Sequence, residues 1–252
     1  MRRDRPNLRV LTALALAVGT LAAWQIEQKN PAQTKPILSA EARGDIFMAR
    51  KMYREAIEAY REGPSDSAVM LNKIGIAYHQ MVQIDPARKH YEMSIKANPR
   101  YAEAINNLGT IHYAKKSYRR AVGLYNRALK ITPESASIYS NLGTAQFGRK
   151  KYKEASEAYQ KALSLDPEVF EHRGAYGTML QERSVHEKAK FHYYLAKTYA
   201  KAGRNDRALL YLRMSLEEGF REKQKLMEEP EFAALRETPE FKELLATEQR
   251  VL

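Results

Sequence analysis

The side chains best suited to hold a metal or move a proton in this 252-residue chain are six histidines: His79, His90, His112, His172, His186 and His192. A metal site on a single helix needs two ligands one turn apart, and none of the six has a histidine four residues on. The chain has no cysteine, which excludes a disulfide framework, a thiolate metal centre, a cysteine nucleophile and a lipid-modified cysteine. It also lacks a glycine-rich phosphate loop, an H-E-x-x-H pair and a G-x-S-x-G elbow. These residues point away from an enzyme. No metal, cofactor or small-molecule substrate is expected, and the histidines read as polar or half-buried helix residues.

Charge is the second chemical resource. Lys and Arg number 42 against 30 Asp and Glu, a formal net charge of +12, which suits an acidic partner. The excess has locations. Lys115, Lys116, Arg119 and Arg120 form one group, Arg149, Lys150, Lys151 and Lys153 a second, and Lys201, Arg204 and Arg207 follow. Each group falls in a polar turn between two helical runs, so stacking the runs would align them into a basic edge. That edge suits anionic headgroups, an acidic partner or nucleic acid, or stays a solvated charged surface.

A third share of the charge sits in the first nine residues, "MRRDRPNLR", whose four Arg and one Asp give +3. Behind them residues 10–26, "VLTALALAVGTLAAWQI", carry no charge. This is the layout of a secretory signal or a short membrane anchor. Seventeen residues sit at the lower limit for spanning a bilayer, and Leu21 and Trp24 around the small residues 22 and 23 make a poor cleavage site. The expectation is an uncleaved single-pass anchor with everything after residue 26 exported; the alternative is a cleaved signal. Export argues against nucleic acid as the partner. Residues 27–39, "EQKNPAQTKPILS", read as a linker.

The rest is organised by a period of 34. Glycine stands at 75, 109, 143 and 177, alanine at 87, 121, 155 and 189, tyrosine at 91, 125, 159 and 193, and proline at 99, 133 and 167. Such a period signals stacked supersecondary units. Within 102–133, Ile105, Leu108 and Ile111 recur at helical spacing, as do Ala121, Leu124, Tyr125, Ala128 and Leu129, with the polar "AKKS" between the runs. Each unit is therefore a helix hairpin. Gly109 and Ala121 are small enough to let its axes approach closely, and Pro133 ends it.

This pattern resembles the tetratricopeptide repeat. In 102–133 the landmark positions are held by Ile105, Leu108, Gly109, Ala121, Tyr125 and Pro133, with His112 in place of an aromatic. In 136–167 they are held by Tyr139, Leu142, Gly143, Ala155, Tyr159 and Pro167, and in 68–99 by Leu71, Ile74, Gly75, Tyr78, Ala87, Tyr91 and Pro99. The resemblance implies an all-α, right-handed superhelical solenoid over 40–220. A degenerate copy occupies 37–66, where Gly44, Ala56 and Tyr60 precede their counterparts by 31. A partial copy, 170–188, is followed by 189–220 with Leu195, Ala196, Tyr199, Gly203 and Ala208 on landmark positions. The echo "PEFAAL" at 230–235 and "PEFKEL" at 239–244 marks 221–252 as a C-terminal helical cap, each motif turning one Phe and one Leu inward.

The resemblance also implies a function. In the family the first helices line a groove that holds a peptide or partner protein. Here that row is Asn72, Ile76 and His79, then Asn106, Thr110 and Tyr113, then Ser140, Thr144 and Phe147. Asn suits an extended backbone, and Tyr113 and Phe147 read as apolar anchors; the other reading is a groove that is not used. A carboxylate clamp is rejected: Asn107 and Asn141 match one of its positions, but the matching face otherwise carries Asn106, Thr110, Glu171 and Ala175, with no cation. The expectation is a non-catalytic scaffold on a bacterial inner membrane with its repeats periplasmic, or periplasmic or secreted if the leader is cleaved. Binding of lipid or another polyanion through the basic edge is the alternative.

Overall fold

The computed structural model describes residues 38–171 and 185–246, and the described helices run from Ala40 to Ala246. The expected anchor at 1–26 and nearly all of the linker at 27–39 lie outside the described residues. So does the core of the partial copy at 170–188. No described helix is long and apolar enough to cross a membrane.

Helices come in antiparallel pairs, and no strand occurs among the described residues. The pairs are α1 (Ala40–Ala49) with α2 (Tyr53–Arg61), α3 (Ala68–Gln80) with α4 (Ile84–Ala97), α5 (Ala102–Ala114) with α6 (Tyr118–Leu129), and α7 (Ala136–Gly148) with α8 (Tyr152–Leu165). A fifth pair joins α9 (Val185–Lys201) to α10 (Asn205–Glu217). Each second helix also packs on the first helix of the next pair through the α7–α8 hairpin. The fold is an all-α stack of hairpins, a solenoid.

The periodic glycines and tyrosines meet inside each hairpin. A methyl group added at Gly75, Gly109 or Gly143 would stand 2.6, 2.5 and 2.5 Å from the ring of Tyr91, Tyr125 or Tyr159. The space that a missing Cβ opens on the first helix is thus filled by the phenol of the second. Gly44 and Tyr60 repeat the arrangement in α1 and α2, where the Tyr60 hydroxyl also donates to Asp45 at 2.7 Å. Arg43, on a position that is apolar elsewhere, is only partly covered and turns its guanidinium to Glu62.

One backbone device closes the five described hairpins. Lys51, Val82, Lys116, Lys150 and Gly203 have φ between 55 and 72°. The N–H of Lys116 donates to the Tyr113 carbonyl and that of Ser117 to the His112 carbonyl, both at 2.8 Å. These are the two bonds of a Schellman turn, which satisfies the last carbonyls of the first helix. Between hairpins proline excludes helix from the residue before it, so Asn98 and Asp166 are extended (φ −137 and −143°). Ser67 and Ser135 cap α3 and α7 by accepting from the N–H three residues on.

The pair α9–α10 carries the internal bond of an ordinary hairpin. Ser215 donates to the Ala189 carbonyl at 2.7 Å, as Ser94 does to the Ala68 carbonyl, also at 2.7 Å. α9 seats on α7–α8 through Phe191 against Phe147 (5.5 Å between centroids) and Tyr194 stacked on Tyr152 (4.8 Å). Tyr193 departs from its periodic counterparts: it stacks on Phe220 at 4.4 Å and donates to Glu229. Beyond it come α11 (Lys223–Glu228), a 3-10 turn (Pro230–Phe232) and α12 (Pro239–Ala246). They bury Leu226, Phe232, Leu235 and Phe241 in the same core as Tyr193, Tyr199 and Leu212.

Candidate functional site

Consecutive first helices touch, α3 with α5 and α5 with α7. These first helices share one face of the stack. Across it runs an asparagine ladder. Asn141 donates to the Asn106 side chain and Asn107 to the Asn72 side chain, both at 3.0 Å, and a weaker 3.4 Å bond joins Asn106 to Asn107. Three hairpins are thereby tied by amides whose donors and acceptors match in register. At its α7 end, the Asn141 carbonyl oxygen and the Ser140 hydroxyl are buried without a hydrogen-bond partner.

The same geometry corrects the expected groove. Tyr113 and Phe147, expected to stand free as apolar anchors, are 8% and 5% exposed, and Asn72, Ser140 and Thr144 are buried as well. Tyr113 packs on Tyr118 at 5.3 Å, while Phe147 is enclosed by Tyr152, Phe191 and Tyr194 at 5.3–5.9 Å. Thr144 donates to the Ser140 carbonyl and accepts from the Tyr159 hydroxyl. Helical spacing places these residues on one face; the distance to the next hairpin decides which of them reach solvent.

Asn106, Thr110, Ile76 and His79 stay half-exposed, and Glu103 and Ser137 are exposed one turn back on α5 and α7. Those last two were missed by the sequence reading, although a row of i, i+3 and i+7 extended toward the helix start reaches Glu103. Thr110 donates to the Asn107 carbonyl at 2.7 Å, so its oxygen retains acceptor capacity. Lys73, also unforeseen, is a cation on this face. It is neutralised by Asp45 at 2.7 Å and Glu41 at 2.8 Å. Partial burial pushes the Asp45 carboxyl up, but hydrogen bonds from Lys73 and Tyr60 and the Lys73 charge outweigh it and hold the group below its usual range. Burial lowers His79 from its ordinary value. Among the described residues no group of three His, Asp or Glu could hold a metal.

The basic residues lie along the turns. Lys115, Lys116, Arg119, Arg120, Lys150, Lys151 and Lys153 are exposed and Arg149 is half-buried. Lys115 pairs with Asp85 of the preceding hairpin at 2.7 Å. Two of the later cations have structural duties instead: Arg207 pairs with Glu171 at 2.6 Å and Arg204 donates to the Pro167 carbonyl.

Four matches to known proteins bear on this chain. Residues 101–168 match the tetratricopeptide repeat family description. A stretch of 86 residues is 31% identical to the photosystem I assembly protein Ycf3 of Rippkaea orientalis, covering 34% of this chain and 49% of that one. Another of 80 residues is 30% identical to the chloroplastic tetratricopeptide repeat domain-containing protein PYG7 of Arabidopsis thaliana, covering 29% and 27%. The chain thus spans half or less of these relatives' length. A solved structure of MamA from Desulfovibrio magneticus is 20% identical, with a TM-score of 0.48, over 69% of this chain and 89% of the other.

Proposed function

We infer that this chain, a tetratricopeptide-repeat protein, works as a non-catalytic scaffold that holds a protein or peptide partner along its row of first helices. The asparagine ladder carries this reading. It fixes three hairpins as one platform, so a partner meets a surface whose ordering cost is already met. On that platform Glu103, Asn106, Thr110 and Ser137 present a carboxylate, an amide and two hydroxyls, a set that suits the alternating donors and acceptors of an extended backbone. The relative named as a photosystem I assembly protein supports a partner that is a subunit of a larger complex, over the 49% of its length that is shared. Residues 10–26 support tethering to a bacterial inner membrane with the repeats on the periplasmic side.

The test is a crosslinked pull-down from native membranes. It compares the full chain with a Glu103→Lys, Thr110→Arg, Ser137→Arg variant, which leaves the ladder and the buried aromatics intact, after circular dichroism shows equal helicity. A discrete set of proteins captured by the wild type and lost in the variant is expected. Identical capture by both would remove the first-helix row as the binding face.

A further inference from the structure

The basic edge contains a groove that the scaffold role does not use. Lys116, Ser117, Tyr118, Arg119 and Arg120, from the α5–α6 turn and the start of α6, line one side, and Arg149 and Lys151, from the next turn, line the other; they enclose about 500 Å3. Its lining contains no carboxylate. Among the described residues Lys116, Arg119, Arg120 and Arg149 form no ion pair, and Lys151 reaches Glu154 only at 3.7 Å. The Tyr118 ring is held from behind by the following hairpin, since a methyl group on Gly148 would stand 2.9 Å from it.

Two comparisons within the molecule show that this charge is not a by-product of the turn. The cleft at the first turn, lined by Lys51, Met52, Tyr53, Arg54, Glu55 and Met81, has a tyrosine at the matching place but mixes charge with two methionines. The helices α2, α4, α8 and α10 each carry an acidic residue in the first turn, Glu55, Asp85, Glu154 and Asp206; α6 has none. Arg119 and Arg120 stand there instead, against the positive end of the helix, and Ser117 makes no side-chain cap. Cations at that end are unfavourable unless an anion lies between them.

We propose that this groove binds a multiply charged phosphate group, carried by a free phosphate compound or by a lipid headgroup. The Arg119, Arg120 and Arg149 guanidiniums offer paired N–H donors of the geometry that phosphate oxygens accept, Lys116 and Lys151 add compact charge, and the Tyr118 ring forms an apolar wall. Because its two sides belong to successive hairpins, the site exists only where they are stacked.

The experiment uses the full chain and two probes: pyrophosphate by titration calorimetry, and phosphatidic acid vesicles against phosphatidylcholine vesicles by co-sedimentation. Arg119→Ala/Arg149→Ala is compared with Lys89→Ala/Lys96→Ala, which removes the same charge from exposed positions on α4. Lys116→Ala/Arg120→Ala serves as a second groove variant should the first fold poorly. The expected result is binding of at least one probe, weakened about a hundredfold by either groove variant and little by the α4 pair. Pyrophosphate binding identifies a free phosphate compound as the source, and binding of the acidic vesicles alone identifies a headgroup. No binding of either probe, equal losses in groove and α4 variants, or no loss in any variant overturns the proposal. The groove lies on the turns, away from the first-helix row, so its outcome stands apart from that of the scaffold test.

Discussion

Two residue types carry much of the specificity of this stack. Gly109 leaves room for the Tyr125 ring, which a methyl group would meet at 2.5 Å. Gly109→Ala is expected to destabilise by about 2–3 kcal/mol through overpacking, read as a lower urea midpoint. Tyr125→Leu in the same chain should recover part of the loss, because the two substitutions share one contact. Asn106 differs in kind: its carbonyl accepts from the buried Asn141 amide. Asn106→Leu would leave that donor unpaired at a cost of about 2 kcal/mol, whereas Thr110→Ala on the same half-exposed row should change the midpoint little.

At the scale of elements, the hairpin turns place an L-residue in the left-handed region four times and a glycine once. Val82 is the strained case, being β-branched, at φ 60° and 78% exposed. Val82→Gly should stabilise by about 1 kcal/mol, since it relieves strain and removes no buried contact; a lower urea midpoint would contradict this. The cap is held partly by charge. Burial pushes the Glu229 carboxyl up, but hydrogen bonds from Lys197 and Tyr193 and the Lys197 charge outweigh it, so its folded value lies below 4.5. A depressed carboxylate stabilises the fold above its unfolded pKa, and the contribution fades as pH falls from about 4.5 through the folded value. Lys197→Met should therefore flatten the acid limb of the stability profile and leave its shape above pH 6 nearly unchanged, as followed by urea titration at stepped pH.

At the scale of the whole molecule, a stack of hairpins needs its last apolar face covered. Phe232, Leu235 and Phe241 supply that cover from outside the repeats. Removing residues 221–252 should expose the α9–α10 face, raise binding of an apolar dye and promote self-association in analytical ultracentrifugation, while hydrogen exchange in α3–α6 changes little because hairpins contact only their neighbours. A chain lacking residues 1–26 should move from the membrane to the soluble fraction; retention in the membrane would contradict tethering by that segment.

The period of 34, its hairpins, the close packing around Gly109 and the inward Phe of each "PEF" motif were legible in the residues alone. Each depends on local chemistry: helical spacing, a missing Cβ, a proline that ends a helix. The row of first helices was legible in the same way, since spacing alone puts Asn72, Asn106 and Phe147 on one face. Which of them meets solvent was decided by tertiary structure, because burial depends on how near the next hairpin lies. That distance turned Tyr113 and Phe147 from anchors into packing, joined four asparagines into a ladder, and paired Lys73 with carboxylates 28 and 32 residues earlier in the chain. It also brought Arg149 to the groove that Arg119 lines, where two turns 34 residues apart become its walls.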